Sequence, residues 1–330
     1  RLRRTSQDTF MRRYGFSDDT SLKSSIIASR VDENRYYMVE ASDRQSLYAA
    51  EKDFNEPTVL PHIFYEKTQK GWREKQQVRT ELSAIQLDND RGHDLARWTG
   101  LLEVSEDFRI PYGIASYEAN ITGYYYTIHT KPSTATTRLG DIKFVNPAFS
   151  LGLRFPFLMS TSNLTAIIEP RVKVSHIGGA DNTDKIPNRD ASDYRIDEAN
   201  LFLLNRYQGK DYVIPGSRMD VGSSVTSDGG WLGKVSGFFG ISRRLSGETS
   251  NGLNTDQGKG YSDYVGSFSI KPLENLYLRW TGRMSSTDLN LNESTTTINS
   301  SLGNGNLSVT HTQLAKAYFS NSNEIGRAHV

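Results

Sequence analysis

The sequence predicts an all-β fold, an antiparallel transmembrane β-barrel present as an incomplete meander of about 13–14 strands. Three observations carry this expectation. Apolar and polar residues alternate with period two over segments of roughly ten residues, about the length that crosses the 25 Å apolar band of an outer membrane at a 45° tilt. Hydrophobic residues make up only 36% of the 330-residue chain, yet aromatics reach 11%, with 17 Tyr and 14 Phe spread along its length. An ordinary soluble domain is about 45–50% apolar. Finally, no run of about 18 apolar residues occurs, so no transmembrane helix is encoded, and the mean hydropathy of −0.56 suits strands that wet one face.

In chain order, the first clear strand carries Ala96, Trp98, Gly100, Leu102 and Val104 on one face. The next spans Gly113 to Tyr125, where Ala115, Tyr117, Ala119 and Ile121 oppose Ser116, Glu118, Asn120 and Thr122. The longest alternation sets Leu164, Ala166, Ile168, Pro170, Val172 and Val174 against Thr165, Glu169, Arg171, Lys173 and Ser175, with Ile167 the exception. Trp231, Val235, Phe239 and Ile241 then alternate with Lys234, Ser236 and Ser242. Leu276, Leu278, Trp280 and Met284 alternate with Arg279, Thr281 and Arg283. Each pattern gives one oily and one wet face.

Hairpin chemistry separates the strands: Asp88-Asn89-Asp90-Arg91-Gly92, Ser227-Asp228-Gly229-Gly230, Ser250-Asn251-Gly252 and Gly303-Asn304-Gly305 supply residues that tolerate positive φ. The longest irregular stretch, about 178–216, is expected to be an external loop. Pro61, Pro147 and Pro170 fall inside strand candidates, where the missing N–H favours an edge or bulge.

Composition excludes several function classes. The 39 basic and 38 acidic residues are interspersed, so no basic face argues for nucleic acid. Cysteine is absent, which removes thiolate and zinc–cysteine chemistry from this segment. The six histidines form no i, i+4 pair of the kind a zinc protease needs, and no Gly-x-Ser-x-Gly elbow occurs. Gly252 to Lys259 departs from a phosphate loop in spacing, and Gly260 stands where the Ser/Thr ligand should be, so it reads as a turn. No catalytic residue, cofactor or metal site is expected. Asp181, Asp184, Asp190, Asp193, Asp197 and Glu198 form an acidic stretch that reads as a solvated loop or, less often, a contact for a divalent cation. If the strand phases hold, Glu118, Glu169, Arg171, Lys173, Arg218, Asp220, Lys234, Arg279 and Arg283 point into a hydrated lumen. They serve either a salt-bridged wet interior or a path or plug-binding wall suited to phosphorylated sugars.

The segment Asp197 to Arg218 carries a longer pattern: Asn200-Leu201-Phe202, Asn205-Arg206 followed by Tyr207, Gly209 and Asp211, then Gly216 and Arg218. It resembles the signature loop of the LptD family of lipopolysaccharide-assembly barrels. Asp8-Thr9-Phe10-Met11-Arg12-Arg13-Tyr14-Gly15-Phe16-Ser17 and Pro57 to Pro61 resemble further family segments, so the likeness covers most of residues 1–323. Tyr207, Lys210 and Tyr212 depart from the residues common in the family. The resemblance implies an outer-membrane translocon that inserts lipopolysaccharide into the outer leaflet. It also implies an LptE-like plug lipoprotein in the lumen, an LptA-like periplasmic bridge docking on a domain missing here, and contact with lipopolysaccharide and outer-membrane lipid, without nucleic acid. Asn200, Leu201, Phe202, Asn205, Arg206, Gly209, Asp211, Gly216 and Arg218 would then shape the loop and its junction with the next strand. An outer-membrane channel or substrate-specific receptor is the alternative. The charged opening, without a secretory signal, leads to the expectation that the chain is the central part of a longer barrel protein. Residues 324–330 read as translated sequencing adapter.

Overall fold

The computed structural model describes residues 1–5, 10–14, 21–47, 57–89, 93–130, 140–179, 186, 190, 196–206, 209–213, 215–247, 260–303 and 305–315. After a four-residue helical turn, α1 (Phe10–Arg13), the described elements are all strands. They are β1 (Ser21–Asp32), β2 (Arg35–Ser46), β3 (Thr58–Lys70), β4 (Gln77–Asp88), β5 (His93–Ile110), β6 (Gly113–Thr130), β7 (Asp141–Arg154), β8 (Phe157–Ser160), β9 (Leu164–Ile177), β10 (Gly216–Gly229), β11 (Lys234–Ser246), β12 (Tyr264–Leu273), β13 (Leu276–Met284), β14 (Leu291–Leu302) and β15 (Gly305–Leu314). They form an antiparallel meander in which strand order follows sequence order, with β1 and β15 at its two ends. Only β8 lies off the path, paired to β9. This element exceeds the expected strand count. Its four residues are too few to show a period, and Pro156 precedes it.

The longest connections gather at one end of the strands. Glu33–Asn34, 71–76, Pro111–Tyr112, 230–233 and Glu274–Asn275 are short, whereas the opposite strand ends carry the long 47–57, 131–140, 178–215 and 247–263 together with the short 89–92 and 285–290. Gly229, Gly230 and Gly233 all take positive φ around the β10–β11 connection, whose turn therefore falls later than the sequence suggests. Trp231 lies in that connection rather than on β11 and is 87% exposed.

The prolines are absorbed differently. Pro61 sits where the β3–β4 register shifts between Val59 and His62, a bulge that needs no ladder donor. Pro170 sits beyond the last β8 partner of β9, Ile168, and its carbonyl accepts the N–H of Phe155 at 3.0 Å.

The chain divides into two compact units: Arg1–Glu106 with Glu118–Ala148 and Gly178–Arg189, and Asp107–Tyr117 with Phe149–Ile177 and Asp190–Val330. In the first, Ile63 pairs with Ala84, Tyr65 with Leu82, and Leu82 with Gly100, so these side chains share one face with Trp98, on which Ile63, Leu82 and Trp98 are exposed. The opposite face carries a glutamate pair, Glu66 beside Glu81, which would repel; Arg79 neutralises it at 3.1 and 2.7 Å and also reaches Glu103 at 3.7 Å. Between β6 and β7, Tyr124 stacks on Phe144 at 4.5 Å, and Tyr126 is fully buried.

In the second unit the register sorts residues by chemistry. One face runs Ile168 and Val172 on β9, Val225 and Val221 on β10, Phe239 and Ile241 on β11, Phe268 on β12, Trp280 on β13 and Ile298 on β14. The other runs Lys173, Asp220 and Ser242, then Ser236, Ser269, Arg279 and Thr297. Period-two alternation in seven consecutive strands, β9 to β15, thus builds an exposed apolar surface and a polar one back to back.

Candidate functional site at the loop and sheet junction

The site forms where the segment between β9 and β10 folds onto the polar face of β10–β12. Asp197 starts it. Its Oδ1 accepts the N–H groups of Ala199 and Asn200, both at 2.9 Å, its carbonyl accepts from Leu201 at 3.0 Å, and its own N–H donates to Asn200 Oδ1. These bonds build a compact turn in which Leu201 points into the sheet. Loss of this cap in Asp197→Ala is expected to cost about 0.5–2 kcal/mol, measurable as faster proteolysis of the segment in the folded protein.

Leu201 is fully buried with Ile196, Phe238 and Val265. Glycine makes the approach possible. A β-carbon on Gly240 would lie 2.4 Å from Leu201 Cδ2, and one on Gly222 would lie 3.3 Å from Phe202 Cζ. Gly222 and Gly240 are paired on neighbouring strands, so they form a shallow seat in the polar face for the Leu201-Phe202 wedge. Phe202 also packs edge-on against Phe238 with ring centroids 6.3 Å apart.

A buried polar knot closes the junction. Arg206, 5% exposed, donates to the Leu201 carbonyl at 2.6 Å, to Ser242 Oγ at 3.0 Å and to Asp220 Oδ1. Ser242 Oγ donates to the same Asp220 oxygen at 2.6 Å. Arg218 donates from Nε to Asp220 Oδ2 at 3.2 Å and from its terminal nitrogen to the carbonyls of Leu203 and Leu204. One carboxylate from β10 therefore holds a guanidinium from the loop and another from its own strand. The β10–β11 register shifts between Ser217 and Arg218, a bulge that aims Arg218 at the loop. Beyond it, Ser262 Oγ accepts the Ser242 N–H, and Asp263 holds Arg283 at 3.3 Å and Asn292 at 2.7 Å.

The rest of the motif is backbone control. Gly209 has φ +91°, and a β-carbon there would sit 2.4 Å from the Asp190 carbonyl oxygen. Asp190 in turn accepts the N–H groups of Lys210 and Asp211 at 3.0 Å and donates its own to Asp211 Oδ2. Gly209→Ala is expected to cost about 1–3 kcal/mol through positive φ and that clash, seen as lowered resistance of the loop to protease. Gly216, at φ +132°, starts β10 with no room for a side chain beside the Ser246 carbonyl. Asn205 lines a small cavity with Arg206, Arg218 and Ser242.

The structure thus gathers Asn200, Leu201, Phe202, Asn205, Arg206, Gly209, Asp211, Gly216, Arg218 and Asp220 into one junction. Glu169 and Arg171, joined at 2.6 Å, and Lys173, opposite Asp220, lie on the same polar face; Arg279 and Arg283 lie further along it. Lys234 stands apart at the β11 end, 3.8 Å from Asp228. Glu118 belongs to the first unit, on the side of β6 that carries buried Thr122 and Tyr124. Of the acidic stretch, Asp190, Asp197 and Glu198 hold loop hydrogen bonds, Glu198 from Ser267; Asp181, Asp184 and Asp193 fall outside the described residues. So do Tyr207, Gly252 to Lys259, and 324–330. Among the described residues no group of His, Asp and Glu could hold a metal ion.

Ser242, Ser262 and Asp263 were not singled out by sequence reasoning. Ser242 appears there only as a polar strand position, and nothing near Ser262-Asp263 marks a ligand for an arginine 20 residues away.

The family model described as "LptD: LPS transport system D" matches residues 1–328. The chain belongs to the LptD family. Comparison with curated proteins gives no match. LptD-family proteins serve lipopolysaccharide transport to the outer membrane, a transport and assembly role. The antiparallel all-β architecture agrees with that membership.

Proposed function

We propose that this chain forms wall and inner loop of an outer-membrane translocon that inserts lipopolysaccharide into the outer leaflet. The carrying observation is the register of β9–β15, which sets an exposed apolar surface against a polar face holding Lys173, Asp220, Arg279 and Arg283. In this reading the apolar surface faces lipid and the polar face lines the path of the sugars. The short connections lie on the periplasmic side and the long ones outside, as in outer-membrane barrels generally. The 196–206 segment, locked by Arg206 and Asp220, narrows the lumen from within. An LptE-like lipoprotein fills the remainder, and an LptA-like bridge delivers lipopolysaccharide to a separate domain of the parent protein.

The test is conditional depletion of the parent protein in its host, with lipopolysaccharide labelled at the cell surface. Loss of surface lipopolysaccharide with accumulation in the inner membrane is the expected result. Undiminished surface labelling would instead favour a channel or receptor barrel.

A further inference from the structure

We propose that the cavity beneath residues 196–199 is a binding site for a phosphorylated saccharide, with Arg279 holding the phosphate. The cavity, about 690 Å³, lies within the second unit between the Ile196–Ala199 turn and the polar face of β11–β14. That volume is within the range of small-molecule sites, about 300–1,000 Å³.

Its chemistry is unlike the sealed knot beside it. Arg283 is held by Asp263, Asp197 by the N–H groups of its own turn, and Glu198 by Ser267. Glu293 stands opposite Arg283 on β14. Arg279 is exposed and, among the described residues, makes no ion pair, so its charge is the one the cavity leaves available to a ligand. A guanidinium presents planar paired donors that match phosphate oxygens.

Around it the donors suit a sugar. Arg279 shares a cross-strand row with Ser269 and Ser236, whose hydroxyls are 2.7 Å apart. The next row carries Thr281 and Ser267, the latter bound to Glu198. Two residues along a strand is about 6.8 Å, close to the span of one pyranose ring with its substituents. A phosphate on Arg279 therefore places ring hydroxyls against the Ser267 and Glu198 row, and the Tyr277 ring adds a flat apolar wall. Hydroxyls and carboxylates both accept from sugar O–H groups, so the cavity's acids aid a saccharide where they would repel a bare anion.

The proposal rests on the reading of the polar face as the sugar path, but it can fail by itself. The test uses the purified full-length protein with its partner lipoprotein. The probes are the core oligosaccharide released from lipopolysaccharide by mild acid, the same material after phosphatase treatment, and glucose 6-phosphate, with binding measured by titration calorimetry. Wild type is expected to bind the phosphorylated oligosaccharide best. Arg279→Ala and dephosphorylation should each weaken it by about ten-fold or more, the size of a lost charge-assisted contact, with Arg279→Lys between. Equal binding by wild type and Arg279→Ala, indifference to phosphatase, or no binding by wild type overturns the site. Tighter binding of glucose 6-phosphate than of the oligosaccharide overturns its assignment to lipopolysaccharide. Arg279 is exposed, so the variants should fold, and unchanged electrophoretic heat-modifiability checks that they do. Export in the depletion experiment is read separately, so a failed cavity and a failed translocon give different results.

Discussion

Asp220→Ala is expected to release the 196–206 segment from the sheet at a cost of about 3–5 kcal/mol, because it leaves a buried guanidinium without its counter-charge. Asp220 is fully buried and receives Arg206, Arg218 and Ser242. Arg206→Ala should cost a similar amount for the converse reason. The pair itself contributes less than these single losses suggest, since burying two charges is costly before they attract. Arg206→Met combined with Asp220→Leu should therefore recover the part of the loss that comes from the stranded Arg206 charge, while Arg218 loses Asp220 and keeps the Leu203 and Leu204 carbonyls; a double-mutant cycle reads this non-additivity directly. Denaturant titration of the purified protein, followed by gel mobility, supplies the free energies. Single-variant losses below about 1 kcal/mol would mean that the junction is held by the Leu201-Phe202 wedge rather than by charge.

Val221→Arg is the second large effect, expected at about 2–4 kcal/mol if that position lies near the bilayer midplane. Val221 is 41% exposed, sits midway along β10 and faces Val172 and Ile241 on the neighbouring strands. In lipid an arginine there must be desolvated or must bend the membrane toward itself. On the other face, Thr295→Lys should change stability by no more than about 0.5 kcal/mol, because the site is wet and polar. Refolding into vesicles, with folded and unfolded bands quantified across urea concentrations, compares them. Equal penalties would reverse or abolish the assignment of faces.

Local pattern was enough for the strands because a pleated strand sends successive side chains to opposite sides. The alternation from Leu164 to Ser175 carries both the existence of β9 and the division of its faces. Where that signal is short or interrupted, the reading failed: β8 has too few residues to show a phase, and Trp231 continues the parity of β11 from outside the strand. The turn glycines were legible as turn residues, but which of them begins a strand depends on pairing with the next strand.

At the junction the division is sharper. The sequence by itself determined that Asn200 to Arg218 is a patterned segment and that Asp220 stands on the polar side of its strand. Tertiary structure alone decided that Arg206 meets Asp220, that Ser242 completes the contact from another strand, and that Gly222 and Gly240 leave a seat for Phe202 and Leu201. The physical reason is range. Alternation and turn propensity act between residues adjacent in the chain, whereas a buried charge finds its partner only after two strands have set their register and the loop has folded back over them.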